Sequence, residues 1–164
     1  MMTTSNRLPC WRCGDEQHDE RQCVGEQQHR IRAWDAERLE RLRERLALQW
    51  RTPVSIRIAP DSRNCSPAML EAIPLMVHEA TVNALKHAQP TQIDVVLNTA
   101  SDGLHIIVSD NGRGFPFKGR YDHSALAASG MAPRSLFDRV ATLGGRMVIS
   151  STERGSRVEM VVSP

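Results

Sequence analysis

At 164 residues, with 40% apolar residues and a formal net charge of +2, the chain has the size of one globular domain plus a small appendage. That balance gives no electrostatic reason for a surface that seeks nucleic acid or membrane. No apolar run nears the roughly 18 residues of a membrane span. The polar start, Met1–Pro9, lacks the apolar core of a signal peptide. The expected compartment is therefore cytoplasmic, where thiols stay reduced and clustered cysteines point to metal rather than disulfides.

Residues 1–29 hold such a cluster: Cys10, Cys13, His18 and Cys23, spaced C-x2-C-x4-H-x4-C. Three thiolates and an imidazole would close a tetrahedral Zn²⁺ site. Gly14 would ease the turn after the second ligand, and Trp11 stands where an aromatic would stack on a base. The segment resembles the retroviral-type CCHC zinc knuckle, a module that binds single-stranded nucleic acid. It departs from that family at Gln17, where glycine is usual, and in an acidic rather than basic loop, which argues against nucleic acid as partner. A disordered leader in which the cysteines fall together by chance is the open alternative.

Residues 30–51 read as a connecting helix. Trp34, Leu39, Leu42 and Leu46 recur near helical spacing among charged residues, and Thr52-Pro53 ends the run. The apolar stripe is narrow, so the helix either packs on one surface, pairs with a copy of itself in a homodimer, or is a solvated connector.

Residues 52–164 alternate strand and helix signals. Val54, Ile56 and Ile58 give a half-buried strand, and residues 59–64 a loop. Ser66-Pro67 is a helix start, with an N-cap hydroxyl and proline in the first turn. Pro74 is expected to kink or restart that helix, which then runs from Leu75 to Ala88. A strand at Ile93–Leu97, a turn at Ser101-Asp102-Gly103 and a strand ending at Asp110 follow. Asn111 to Gly130 reads as a long loop with four glycines, of the kind that is usually functional. Pro133 to Leu143 is a helix stopped by Gly144-Gly145, and strands at Met147–Ser150 and Arg157–Val162 close the chain. The expected fold class is α+β: a two-layer sandwich, a mixed and mostly antiparallel sheet of about five strands, covered on one face by helices.

Two stretches carry chemistry. In Asp110-Asn111-Gly112-Arg113-Gly114-Phe115 a strand-end carboxylate is followed by two glycines that let the backbone turn sharply or lie against a ligand. Taken alone, such a stretch is also an ordinary hairpin turn. In the helix upstream, Glu79, Asn83, Lys86 and His87 fall within an arc of roughly 100°, with Val77, Thr81, Ala84, Leu85 and Ala88 opposite. An Asn one turn from a Glu offers oxygens to a hard cation such as Mg²⁺, and Asn is a poor choice for a merely solvated helix face.

Together these stretches resemble the N box and first glycine box of the ATP-binding domain shared by sensor histidine kinases, type II topoisomerases, the ninety-kilodalton heat-shock chaperone and a mismatch-repair ATPase (the GHKL or Bergerat-type fold). The likeness runs from about Leu39 to Pro164. It is nearest to kinases paired with NarL/LuxR-type regulators, which Leu143-Gly144-Gly145 and Gly155-Ser156-Arg157-Val158 also match. The resemblance implies a histidine-kinase-type ATPase fold and ATP with Mg²⁺ as cofactors. It implies that Asp110 accepts the adenine amine and that Gly112 and Gly114 allow the nucleotide close. Asn83 would hold Mg²⁺, Glu79 would orient water or act as base, and Lys86 and His87 would flank the phosphates. A response regulator or another phosphoacceptor protein is the implied partner.

The sequence departs from that family twice. The second glycine box, G-x-G-L-x-G-M, reads Gly130-Met131-Ala132-Pro133-Arg134-Ser135-Leu136, so Gly130 alone survives and Pro133 removes an amide. Arg134 would supply charge there, or end a helix in solvent. The usual phosphoacceptor histidine lies on a long helical hairpin well upstream of the N box, and His18-Asp19, inside the cysteine cluster, does not fit that place. The expectation is a kinase-type domain without its own phosphoacceptor, or a piece of a longer kinase. Two further readings stay open: a regulator like the anti-sigma-factor kinases, which use ATP to phosphorylate Ser/Thr on a protein partner, and a zinc-knuckle nucleic-acid-binding protein with a degenerate ATPase domain.

Overall fold

The computed structural model describes residues 36–59 and 66–163. The chain divides into two units, Met1–Glu37 and Arg38–Pro164. Of the first, only residues 36–37 are described, and every contact given below belongs to the second.

Helix α1 covers residues 36–50. Its Leu39, Leu42 and Leu46 share one face at helical spacing and are buried in the core of the second unit. The narrow stripe thus packs on the domain surface, one of the three arrangements its pattern allowed. Trp34 lies outside the described residues.

Strand β1 (Val54–Ile58) leads to helix α2 (Pro67–His87). The Ser66 hydroxyl accepts the Met69 N–H at 3.3 Å, and Pro67 opens the first turn. Of the kink or restart expected at Pro74, the restart does not occur, since α2 runs through it. Proline removes one helical hydrogen bond. Here Met69, Ala72 and Ile73 before it and Met76, Val77 and Ala80 after it are all buried, so core packing carries the helix across the gap.

Strands β2 (Ile93–Ala100) and β3 (Gly103–Asp110) form a hairpin. The segment expected to be a structureless loop instead contains strand β4 (Gly119–Tyr121) and helix α3 (His123–Ser129). Asp122 caps α3 by accepting the Ala125 N–H, Gly130 ends it in a left-handed turn, and Leu126 is buried beneath it. A seven-residue helix with one buried apolar side chain leaves no periodicity to read. Helix α4 (Arg134–Thr142) and strands β5 (Arg146–Thr152) and β6 (Gly155–Val162) complete the chain.

The sheet has six strands in the order β1-β2-β3-β6-β5-β4, one more than expected, the sixth being β4. Only β1 and β2 run parallel. Helices α2, α3 and α4 pack on it. In the central pair, Leu104, Ile106 and Val108 lie opposite Val162, Met160 and Val158, all buried. The alternate positions, His105 opposite Val161 and Ile107 opposite Glu159, lie on the other face. This register sets Asp110 opposite Ser156 at the end of the central strand pair.

Candidate functional site

Asp110 is fixed before any ligand arrives. Its Oδ1 accepts the Gly112 N–H at 2.8 Å and its Oδ2 accepts the Ser156 hydroxyl at 2.5 Å. Each carboxylate oxygen has a second lone pair, so the group can still accept a directed hydrogen bond. Asn111 braces the same turn from outside: its Oδ1 accepts the N–H groups of Thr91 and Gln92, and its Nδ2 donates to the Thr91 hydroxyl.

Arg113 closes the end of α2. Its backbone N–H donates to the Ala88 carbonyl at 2.9 Å and its Nε to the His87 carbonyl at 2.8 Å. A cation at a helix C-terminus satisfies carbonyls that have no partner within the helix. The chain leaves that terminus through Gln89, at φ +51°. The two chemical stretches are thereby bolted to each other.

This bolting explains the glycines. A Cβ on Gly112 would stand 2.2 Å from the Ala88 carbonyl oxygen. Gly114 has φ +70°, and a Cβ there would stand 2.4 Å from the Thr152 carbonyl oxygen. The close approach expected at both positions is thus, in the described structure, an approach of protein backbone. Phe115 then donates its N–H to the Ser151 hydroxyl at 2.8 Å. Lys118 holds the loop shut, its Nζ donating to the carbonyls of Arg113 (2.6 Å) and Phe115 (2.9 Å), with the Glu153 carboxylate 3.7 Å away. Phe115 stacks on Phe117, which meets Tyr121 edge-on, so aromatic packing continues from the loop to β4.

A cavity of about 650 Å³ opens against this loop. Asn83 and His87 form its α2 wall. Arg113, Gly114, Phe115, Pro116 and Lys118 form the loop wall, with Met131, Ala132, Pro133 and Glu153 on the remaining side. Its size suits a nucleotide-sized ligand. The cavity brings together Asn83, His87 and Gly114 from the residues singled out in the sequence. Asp110 and Gly112 lie at the base of the same loop, off the cavity wall. Glu79 is half-buried one turn before Asn83, and its Oε2 lies 3.7 Å from Nε of Arg139 on α4. Lys86 is exposed and does not line the cavity.

Gly130 serves a local need. It is the left-handed C-cap of α3, and its N–H donates to the Leu126 carbonyl at 3.0 Å. It lines a smaller neighbouring cavity of about 340 Å³ with Leu126, Ala132 and Phe137. Pro133 caps α4 with no side-chain hydrogen bond, so the first-turn amides of Arg134 and Ser135 have no side-chain cap, beside the wall of the larger cavity. His123 stacks on Phe137 and its Nδ1 accepts the Met147 N–H, tying α3 to α4 and β5.

The clear pKa shifts lie outside the cavity. Burial, followed by the charge of Arg45, pushes His78 below the usual imidazole value. The Ala125 N–H, followed by the Ser124 hydroxyl, holds Asp122 low. The residues that sequence reasoning missed are Arg113, Lys118 and Arg139. Arg113 sits inside the glycine motif at a position the motif leaves open, and Lys118 and Arg139 act through contacts far along the chain. The zinc ligands expected at Cys10, Cys13, His18 and Cys23 lie outside the described residues. Among the described residues, no helix is long and apolar enough to cross a membrane.

Residues 70–164 match the model of the family described as histidine kinase-, DNA gyrase B- and HSP90-like ATPases. The sensor histidine kinase LiaS of Bacillus subtilis (strain 168) is 28% identical over 88 residues, which are 53% of this chain and 23% of LiaS. The chain therefore spans under a quarter of that relative. Among solved structures, the histidine kinase domain of the blue-light activated kinase of Erythrobacter litoralis EL346 aligns with a TM-score of 0.58 at 20% identity, covering 76% of this chain and 62% of that one. The ATP binding domain of PrrB from Mycobacterium tuberculosis aligns with a TM-score of 0.55 at 21% identity, covering 78% and 93%. At these identities the structures share the fold.

Proposed function

Because the chain belongs to the histidine kinase-, DNA gyrase B- and HSP90-like ATPase family, we propose that it supplies the Mg-ATP-binding catalytic part of a histidine-kinase-type phosphotransferase. It would act in two-component signalling in the cytoplasm, with a phosphoacceptor protein or response regulator as partner. The observation that carries this reading is the meeting of Asn83 and His87 with the Arg113–Phe115 loop around one cavity.

Each residue has a task in this reading. Asp110, oriented by Gly112 and Ser156, accepts the exocyclic amine of adenine, a donor that guanine does not present there. His87 and Arg113, both on the cavity wall, flank the phosphates in this reading, with the uncapped amides of α4 as further donors. Asn83 fits Mg²⁺ because its carboxamide oxygen is a hard donor on the cavity wall, and Mg²⁺ takes one or two protein oxygens together with phosphates and water. When bound, the cation neutralises phosphate charge. Glu79, held by Arg139, orients the attacking group or takes its proton. Such catalysis works by positioning and charge neutralisation rather than covalent chemistry.

Calorimetric titration with ATP, with and without Mg²⁺, tests the reading against GTP and against Asp110→Asn. Selective ATP binding, strengthened by Mg²⁺ and weakened roughly a hundred-fold by the substitution, is expected. Equal affinity for GTP, or an unaffected Asp110→Asn protein, would refute the assignment of Asp110.

A further inference from the structure

The sheet has two edges, β1 and β4. Strand β4 offers only three residues and starts at Gly119, with φ +110°. Strand β1 offers five, with no glycine or proline among them, and it pairs with β2 alone. At its two ends the Pro53 carbonyl accepts the Ile93 N–H at 3.0 Å and the Ala59 N–H donates to the Leu97 carbonyl at 2.8 Å. The odd-numbered residues thus turn their backbone groups to β2, and Val54, Ile56 and Ile58 turn theirs outward. Among the described residues nothing bonds these three along the free edge. Natural proteins usually blunt such an edge, because it is a template for another strand.

The side chains of β1 are patterned for pairing with a copy of itself. Val54, Ile56 and Ile58 stand on the helix-covered face, in register with the buried Ile93, Val95 and Leu97. Ile58 is still 41% exposed. On the open face, Ser55 is in register with Asp94, and its hydroxyl donates to that carboxylate at 2.5 Å. Arg57, beside them, is exposed and has no ion-pair partner among the described residues.

We propose that a second copy of this chain adds to this edge antiparallel, centred on Ile56, and joins the two sheets into one through a two-fold contact. Ile56 then faces Ile56, and Val54 faces Ile58 on either side. All three opposed pairs have outward backbone groups, so each exchanges two N–H···O bonds. Ser55 faces Arg57 of the second copy, whose guanidinium lies across Ser55 from Asp94. That row spans about 10 Å between its outer Cα atoms, which an extended arginine and an aspartate together bridge. A charge on an edge strand usually guards against pairing; here the symmetry sets it over a carboxylate. The register is specific. Sliding by two residues sets Arg57 against Arg57 in one direction and leaves Ile58 unmatched in the other. The leucine stripe of α1, the other route to self-pairing, is buried in its own domain. No residue of β1 or β2 lines the larger cavity, so the contact leaves that cavity open in both copies and stands apart from the ATP reading.

Sedimentation velocity of the full chain, from about 5 to 200 µM, tests it. A monomer–dimer equilibrium in the micromolar range is expected, since the contact is small. Ile58→Pro removes an outward N–H and none of the bonds to β2, and should weaken the dimer at least about ten-fold. Arg57→Asp should weaken it about five-fold, and adding Asp94→Arg should restore it to within about three-fold of the parent. Thermal unfolding at the lowest concentration, where the chain is monomeric, should match across the variants and separates lost pairing from lost fold. A monomer at every concentration overturns the proposal, as do assemblies that grow past the dimer. It is overturned as well if the dimer is indifferent to Ile58→Pro and Arg57→Asp, or if the exchange of charges fails to restore it.

Discussion

The two sides of the larger cavity are built in opposite ways. After Asp110, hydrogen bonds tie the chain to distant elements: Arg113 to backbone carbonyls at the end of α2, Phe115 to the Ser151 hydroxyl of β5, and Lys118 to the Thr152 carbonyl of β5 as well as to its own loop. Across the cavity, the segment from Ser129 to Pro133 is held locally, by the caps of α3 and α4 and by apolar side chains. The first side is a rigid frame that fixes a carboxylate. The second has few amides to offer before α4 begins, since the Gly130 N–H is already bonded and Pro133 has none. In our reading, selectivity for the base is built into the frame, and the grip on phosphate falls to side chains and the first-turn amides of α4.

The harshest way to break the frame is Gly112→Ala. The new methyl would meet the Ala88 carbonyl, which belongs to a helix end and has nowhere to move. A loss of about 2–4 kcal/mol is expected, seen as a large fall in the denaturant midpoint together with loss of ATP binding. Gly130→Ala is the matched probe on the other side. Open space surrounds its Cβ, so only left-handed strain of about 1 kcal/mol is expected. Equal losses from the two substitutions would erase the distinction between the sides.

A smaller effect is expected of Lys118→Met, which keeps the length of the side chain and removes its bonds to the carbonyls of Arg113, Phe115 and Thr152. The ammonium is partly exposed, so about 1 kcal/mol of stability is at stake. Hydrogen exchange should quicken at Phe115, and ATP affinity should fall several-fold. Unchanged exchange would mean that the turn holds itself. On the opposite side, Ala132→Gly, Pro133→Leu and Ser135→Gly together rebuild the glycine pattern and return one amide. We expect tighter ATP binding by a few-fold in calorimetry and no change in preference over GTP. A change in base preference would show that the two sides are not separate in function.

The turn at the heart of the frame was legible in the sequence, while its Arg113 and Lys118 braces and the other side were not, for a physical reason. Ser66-Pro67, the apolar alternation of the strands and the Asp110 turn are local signals, and each element appeared where its residues put it. The α2 face was legible as well, since one period placed Asn83 and His87 together. The helix did not restart at Pro74 because propensity is local while the burial that overrides it is not. Helix α3 and β4 were hidden because one is capped by Asp122 and anchored by Leu126 alone, and the other exists only by pairing with β5. Lys118 and Arg139 were hidden for the same reason: nothing near them in sequence reveals the carbonyls or the carboxylate they meet.

The contrast extends along β3 itself. Asp110 ends the strand at the base of the cavity loop, while His105 lies near its start, between Asp102 at 2.7 Å and Glu159 at 3.1 Å. Arg146 also pairs with Asp102, and Arg157 lies 3.5 Å from Glu159, so cations face both carboxylates. Burial opposes a charge on His105, but the hydrogen bonds to Asp102 and Glu159 together outweigh it and raise its pKa above the usual imidazole value. A raised folded-state pKa means that the native protein holds this proton more tightly than the unfolded chain does. Its stabilisation is complete below the unfolded value, about 6.5, and is lost as pH rises through the folded one. The unfolding temperature of the parent should therefore fall by a few degrees, relative to His105→Gln, as pH rises from about 6 to 8. ATP affinity, set at the other end of the strand, should show no matching difference between the two proteins over that range. A parallel drift in affinity would mean that β3 transmits the state of its hairpin to Asp110, and the frame would then be less rigid than its hydrogen bonds imply.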